Sequence, residues 1–166
     1  MAMRDVFTPR GRYSQVELAP LAALDLDGDG QRTILVAVDG HESSLRAAAY
    51  AIGLARRQGL RLVVLYVHTL GPLASTPDSI NAIRAANAEA VRAVRIEMDR
   101  QGAALGVDIA VVERDGSPYV ETVRLAGELR VDAVVMGGGR NFGYQYFGSP
   151  ATRLVRNAQW PITVIP

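Results

Sequence analysis

The chain reads as a single-domain α/β protein, a doubly wound parallel sheet with helices on both faces. Three observations predict this. From Thr33 onward, short apolar runs alternate with longer stretches of helical periodicity. Most of the short runs are apolar throughout rather than at every second residue, the pattern of strands covered on both sides. Turn residues such as Asp39-Gly40 and Asp115-Gly116-Ser117-Pro118 separate runs from stretches. At 166 residues, 49% of them hydrophobic and 21% charged, one soluble domain with a proper core is expected.

The elements follow in order. Residues 1–31 are mixed, and are read as an irregular or flexible extension preceding a domain over residues 32–166. Thr33–Val38 is the first strand, and Glu42–Gln58 the first helix, with Leu45, Ala48, Ala49, Ile52 and Ala55 at helical spacing and Gly59 as its stop. Arg61–Val67 is a second strand. Ser79 to about Leu105 is a long helix whose Ile80, Ile83, Asn87, Val91, Val94, Met98 and Leu105 mark most of one face; Arg84, Arg92, Arg95 and Arg100 alternate with acids on its solvent side. Val107–Glu113 is the third strand. Ser117 can cap the next helix and Pro118 can occupy its first position, and that helix runs to about Leu129. Ala133–Met136, a helix over Pro150–Asn157 and a strand over Ile162–Ile165 complete the chain.

Composition removes several classes of function. With no cysteine there are no disulfides, thiolate metal sites or cysteine nucleophiles. All 18 basic residues are arginine, which removes the P-loop lysine and Schiff-base chemistry. The net charge of +1 gives no electrostatic reason to expect nucleic acid or an anionic membrane as partner. No apolar run approaches the roughly 20 residues of a membrane span. Asp5, Arg10, Arg12, Glu17 and Asp25 interrupt any leader-like stretch, so a cytoplasmic location is the expectation. Asp25-x-Asp27-x-Asp29-Gly30 imitates the start of a calcium loop, but its twelfth position is Val36, inside the first strand. It is read as a solvated acidic turn, and no metal is expected.

The segment richest in functional signal is Val134-Val135-Met136-Gly137-Gly138-Gly139-Arg140, followed by Gly148-Ser149-Pro150. Glycines let backbone N–H groups approach a ligand, and the N-terminus of a helix carries partial positive charge, so the segment can cradle phosphate. It can equally be the turn leaving a strand, with Ser149 as cap and Pro150 at the first helical position. In open parallel sheets, ligands lie beyond the carboxyl ends of the strands where the strand order reverses. The residues placed to face that crevice are Asp39, Val67-His68, Gly116 and the loop from Gly137 to Ser149. His41 has Asp39, Glu42 and Ser43 close by in sequence, a possible charge-relay set, although solvation at the first turn of a helix explains them as well. No catalytic residue is assigned.

Three segments resemble the universal stress protein family: Ile34-Leu35-Val36-Ala37-Val38-Asp39-Gly40 with Ser43 and Ser44 after it, Gly116-Ser117-Pro118, and Val134 through Ser149 together with Trp160-Pro161-Ile162-Thr163-Val164-Ile165. The resemblance runs from about Arg32 to Pro166. It implies a five-stranded sheet in order 3-2-1-4-5 and a homodimer paired along the last strand, residues 162–165. It also implies ATP or another adenine nucleotide as ligand, with adenine near Asp39 and Val67 and with Ala37 and Val38 leading into that end of the first strand. Ribose and phosphates would lie on Gly137, Gly139, Arg140, Gly148 and Ser149, flanked by Met136 and Pro150.

The loop of this chain is two residues shorter than the family's G-x2-G-x9-G-[S/T] pattern. The implied function is a regulatory, nucleotide-binding dimer of the stress response that acts on an unidentified protein partner without efficient catalysis. The alternative is a dimeric interaction module of the same fold that binds no nucleotide. A slow ATPase would need more charge neutralisation than Arg140 and backbone donors supply. A phosphorelay receiver would need a lysine after its last strand.

Overall fold

Every strand pairing is parallel, and the five strands lie in the order β3-β2-β1-β4-β5. They are β1 (Thr33–Val38), β2 (Arg61–His68), β3 (Ile109–Asp115), β4 (Ala133–Gly137) and β5 (Ile162–Ile165). The helices are α1 (Glu42–Gln58), α2 (Pro77–Leu105), α3 (Pro118–Glu128) and α4 (Pro150–Asn157). The computed structural model describes residues 32–70, 75–138, 150–157 and 159–166. The extension over residues 1–31 lies outside the described residues.

Apolar strand residues fill both faces of the sheet, as their lack of alternation predicts. Ile34, Val36, Leu62 and Val64 meet Ala47, Ala51 and Ile52 of α1 and Val91, Val94 and Met98 of α2 on one face. Leu35, Val63, Leu65 and Val134 meet Leu125 and Ala126 of α3 on the other, where Ala151 and Leu154 of α4 pack on Met136. Burying a side chain the size of Leu35 contributes about 2 kcal/mol, so these two layers supply most of the driving force for folding.

Strands β2, β3 and β4 run past their expected ends, to His68, Asp115 and Gly137, and three further details differ from the sequence reading. In α1 the buried stripe is Ser43, Ser44, Ala47, Ala48, Ala51, Ile52 and Ala55, whereas Leu45 and Ala49 face outward. Small residues turn inward because the helix lies close against the sheet; a stripe chosen for hydrophobicity favours Leu45, which this approach has no room for. The third strand starts two residues later than Val107. The Val107 N–H donates to the Gly102 carbonyl, so Val107 still belongs to the wrap at the end of α2. The long helix starts at Pro77 rather than Ser79, because Thr76 and Ser79 form a reciprocal capping box.

Candidate functional site

β1 is central, with β2 on one side and β4 on the other, so the strand order reverses between β1 and β4. A cavity of about 140 Å³ opens at the carboxyl ends of these two strands, where the topology predicts a ligand. Its apolar surface comes from Ala37, Val38, Val67 and Met136, with Pro118 and Pro150 at the starts of α3 and α4. Asp39, Ser43, Ser44, Gly137, Gly138 and Ala151 complete it.

Asp39 leaves β1 and closes the turn that follows. Its Oδ1 accepts from the His41 N–H at 2.9 Å, and its Oδ2 lies 3.2 Å from His41 Nδ1. The Asp39 N–H donates to Ser44 Oγ at 3.2 Å, and that hydroxyl donates to the His41 carbonyl at 2.8 Å. Partial desolvation pushes the Asp39 carboxyl up; the His41 N–H, the Ser44 hydroxyl and the His41 ring outweigh it and hold the group below the usual carboxylate range. His41 is itself the residue preceding α1, exposed and making no side-chain cap. Of the relay weighed from sequence, Asp39, Glu42 and Ser43 about His41, the imidazole meets Asp39, whereas Glu42 turns to Arg46 at 3.8 Å.

Gly137 was expected to let a backbone donor reach phosphate. The structure gives it a packing reason as well. A Cβ there would lie 2.7 Å from both the Ser43 carbonyl carbon and the Ser44 nitrogen, so only glycine lets the first turn of α1 rest against the end of β4. Gly138 continues the ladder, its N–H donating to the Ile165 carbonyl at 2.7 Å.

Of the turn from β3 to α3, Pro118 lines the crevice, whereas Gly116, expected to face it, does not. The Gly116 N–H donates to the His68 carbonyl at 3.1 Å, and Gly116 takes φ +138°, in the region that favours glycine. Ser117 precedes α3, yet its side chain makes no cap bond, contrary to the sequence reading. Helices α1, α3 and α4 all start at this crevice, each presenting the positive end of its dipole.

Of the predicted site residues, Ala37, Val38, Asp39, Val67, Met136, Gly137 and Pro150 are brought together. Gly139, Arg140, Gly148 and Ser149 lie outside the described residues. His68 is a correction. It does not line the crevice, because successive strand side chains point to opposite faces and Val67 takes the crevice side. His68 Nε2 meets Glu113 Oε2 at 2.9 Å, and Arg95 Nε donates to the other oxygen of that carboxylate at 3.1 Å. Burial pushes the Glu113 carboxyl up, and its bonds to Arg95 and His68 reverse that and lower it. Sequence reasoning assigned no ligand role to Ser43, Ser44, Pro118 or Ala151. The signal available was positional, since most of them sit in the first turn of a helix that follows a strand end.

Residues 31–166 match the model of the universal stress protein family. A universal stress protein of Methanocaldococcus jannaschii is 27% identical over 142 residues, which is 81% of each chain. The solved universal stress protein UspA of Lactobacillus plantarum superposes with a TM-score of 0.69 at 22% identity, covering 84% of this chain and all of that one. A universal stress protein solved in complex with cAMP gives a TM-score of 0.64 at 22% identity, covering 83% of this chain and 99% of its own.

Proposed function

This chain belongs to the universal stress protein family, and on that premise we propose that the crevice between β1 and β4 holds an adenine nucleotide, ATP or AMP in type, as a regulatory signal rather than a substrate. The observation that carries this reading is the crevice itself. Apolar surface from Val67, Met136 and Ala37 suits a flat base, the Asp39 carboxylate can accept from its donors or from ribose, and three helix N-termini favour phosphate nearby. The cAMP complex of a structural neighbour supports the choice of adenine. On this reading Gly139, Arg140, Gly148 and Ser149 hold the phosphates.

Two further parts belong to the same proposal. Among the described residues β5 has β4 on one side and no strand on the other, and a second copy pairing along residues 162–165 would cover that edge. The dimer would then respond to nucleotide by changing its affinity for a protein partner. The lysine-free sequence supports a binding role without efficient phosphoryl transfer. Among the described residues no helix is long and apolar enough to cross a membrane, and the cytoplasm is the proposed location.

A second reading, an interaction module without nucleotide, draws on one observation: packing against α1 already explains why residue 137 is glycine. Isothermal titration with AMP, ATP and cAMP separates the two. The first reading expects saturable heat with at least one of them, together with an adenine nucleotide in the supernatant of denatured protein by mass spectrometry. No heat at millimolar ligand would leave the second. Sedimentation of the same sample reads the dimer, and a monomer at all concentrations would remove the β5 pairing.

A further inference from the structure

Two buried polar groups behind the β3–α3 turn take no part in the site described above. Glu121, in the first turn of α3, is 6% exposed, and its carboxylate makes neither a hydrogen bond nor an ion pair among the described residues. Its Oε1 lies 3.5 Å from where a Cβ on Gly116 would sit, directly against the turn that carries Pro118 into the crevice wall. On the same face of the sheet is Arg114, the last residue but one of β3. Its side chain is 14% exposed, Nη2 donates to Glu128 Oε2 at 3.1 Å, and its buried Nε–H has no acceptor. A largely buried carboxylate with no protein donor and a buried guanidinium N–H without an acceptor are each costly, and each is what the other lacks.

We propose that Glu121 and Arg114 are the two halves of a proton-operated latch beneath the crevice wall. The separated arrangement seen here belongs to neutral Glu121. On losing its proton, the carboxylate accepts from the Arg114 Nε–H, and because it stands on the first turn of α3 it shifts the Gly116–Pro118 turn as it moves. The shape of the crevice is thereby tied to pH whatever occupies it, so the inference goes beyond the nucleotide reading and does not depend on it.

The surroundings allow both states. Burial pushes the Glu121 carboxyl up, Arg124 and Arg114 draw it down, and Glu128 and Asp115 raise it again. From the neighbouring elements, β1 and β2 contribute the apolar Leu35, Leu65 and Val67 to this face, and the Arg153 guanidinium of α4 is stacked over Tyr119, 4.1 Å from its ring centre. Glu128 keeps a partner when Arg114 turns away, since Arg124 Nε also donates to it, at 2.9 Å.

The test is a carbon-detected NMR titration of glutamate side chains in the full chain, without added ligand. Wild type should show one carboxyl titrating above the other glutamates, absent in Glu121→Gln. The amides of Gly116 and Tyr119 should follow the same midpoint and become flat in that variant. Removing the acceptor's partner with Arg114→Met, or with Arg114→Lys if the first does not fold, should move the midpoint upward. Turn amides that stay flat in wild type, or a midpoint unmoved by either Arg114 variant, would overturn the latch.

Discussion

In the turn after β1, Asp39 folds back on itself, its carboxylate accepting the His41 N–H two residues on, and Ser44 of α1 completes the ring of bonds. In the turn after β3, Asp115 makes no such bond among the described residues; Gly116 is held instead by a carbonyl of the neighbouring strand β2. Both turns begin with Asp-Gly and lead into a helix. One is fastened by its own residues and the other by the sheet beside it. The same dipeptide thus builds a rigid local corner on one side and a corner dependent on its neighbours on the other.

Substitutions can break that contrast, the largest effect coming from the contact that seats the first corner. Gly137→Val drives side-chain atoms into the Ser43–Ser44 backbone, and should cost about 3 kcal/mol in urea unfolding. A loss under about 0.5 kcal/mol would mean α1 can back away freely. Next come the two turn glycines. Gly116→Ala, at φ +138° and against Glu121, should cost about 2 kcal/mol or more. Gly40→Ala, at φ +82° in open space, should cost about 1 kcal/mol. Equal costs would remove the distinction between the corners.

Asp39→Ala should lose about 1 kcal/mol at neutral pH, discounted for the exposure of the side chain, while Asp115→Ala should be close to neutral. The sign with pH follows from the lowered Asp39 carboxyl. Its contribution is fully present above the ordinary aspartate value of about 3.9 and disappears as pH falls through the lower folded value. Thermal melts of wild type and variant should therefore converge on acidification. The smallest effect is His41→Ala, an exposed pair member that makes no cap, expected within about 0.5 kcal/mol.

How far the sequence reached can be seen in the same two corners. Asp39-Gly40 and Pro118 mark their turns by local chemistry, so the strand ends and the crevice position were readable, as were the parallel layers from unbroken apolar runs. The inward stripe of α1 was not. Ser43, Ser44 and Ala47 are buried because the helix rests against a side-chain-free point on β4, and that fit is a relation between residues about ninety positions apart, with no periodic trace. The strand alternation that turns His68 away from the crevice side taken by Val67 is legible in the sequence itself. Ser117 matched a capping pattern that its own side chain does not complete, because composition fixes what a residue can donate and tertiary placement decides whether it does.

α2 is the longest described element, 29 residues from Pro77 to Leu105, and its buried residues are Val91, Val94 and Met98, all in its second half. Residues 77–90 contribute none. Resistance to local opening follows the apolar surface that opening would expose. Amide protons in the first turns of α2 should therefore exchange with deuterated solvent far sooner than those near Val94, while the sheet beneath them stays protected. The helix is anchored by its far end, and its near end can unravel and re-form without any unfolding of the domain.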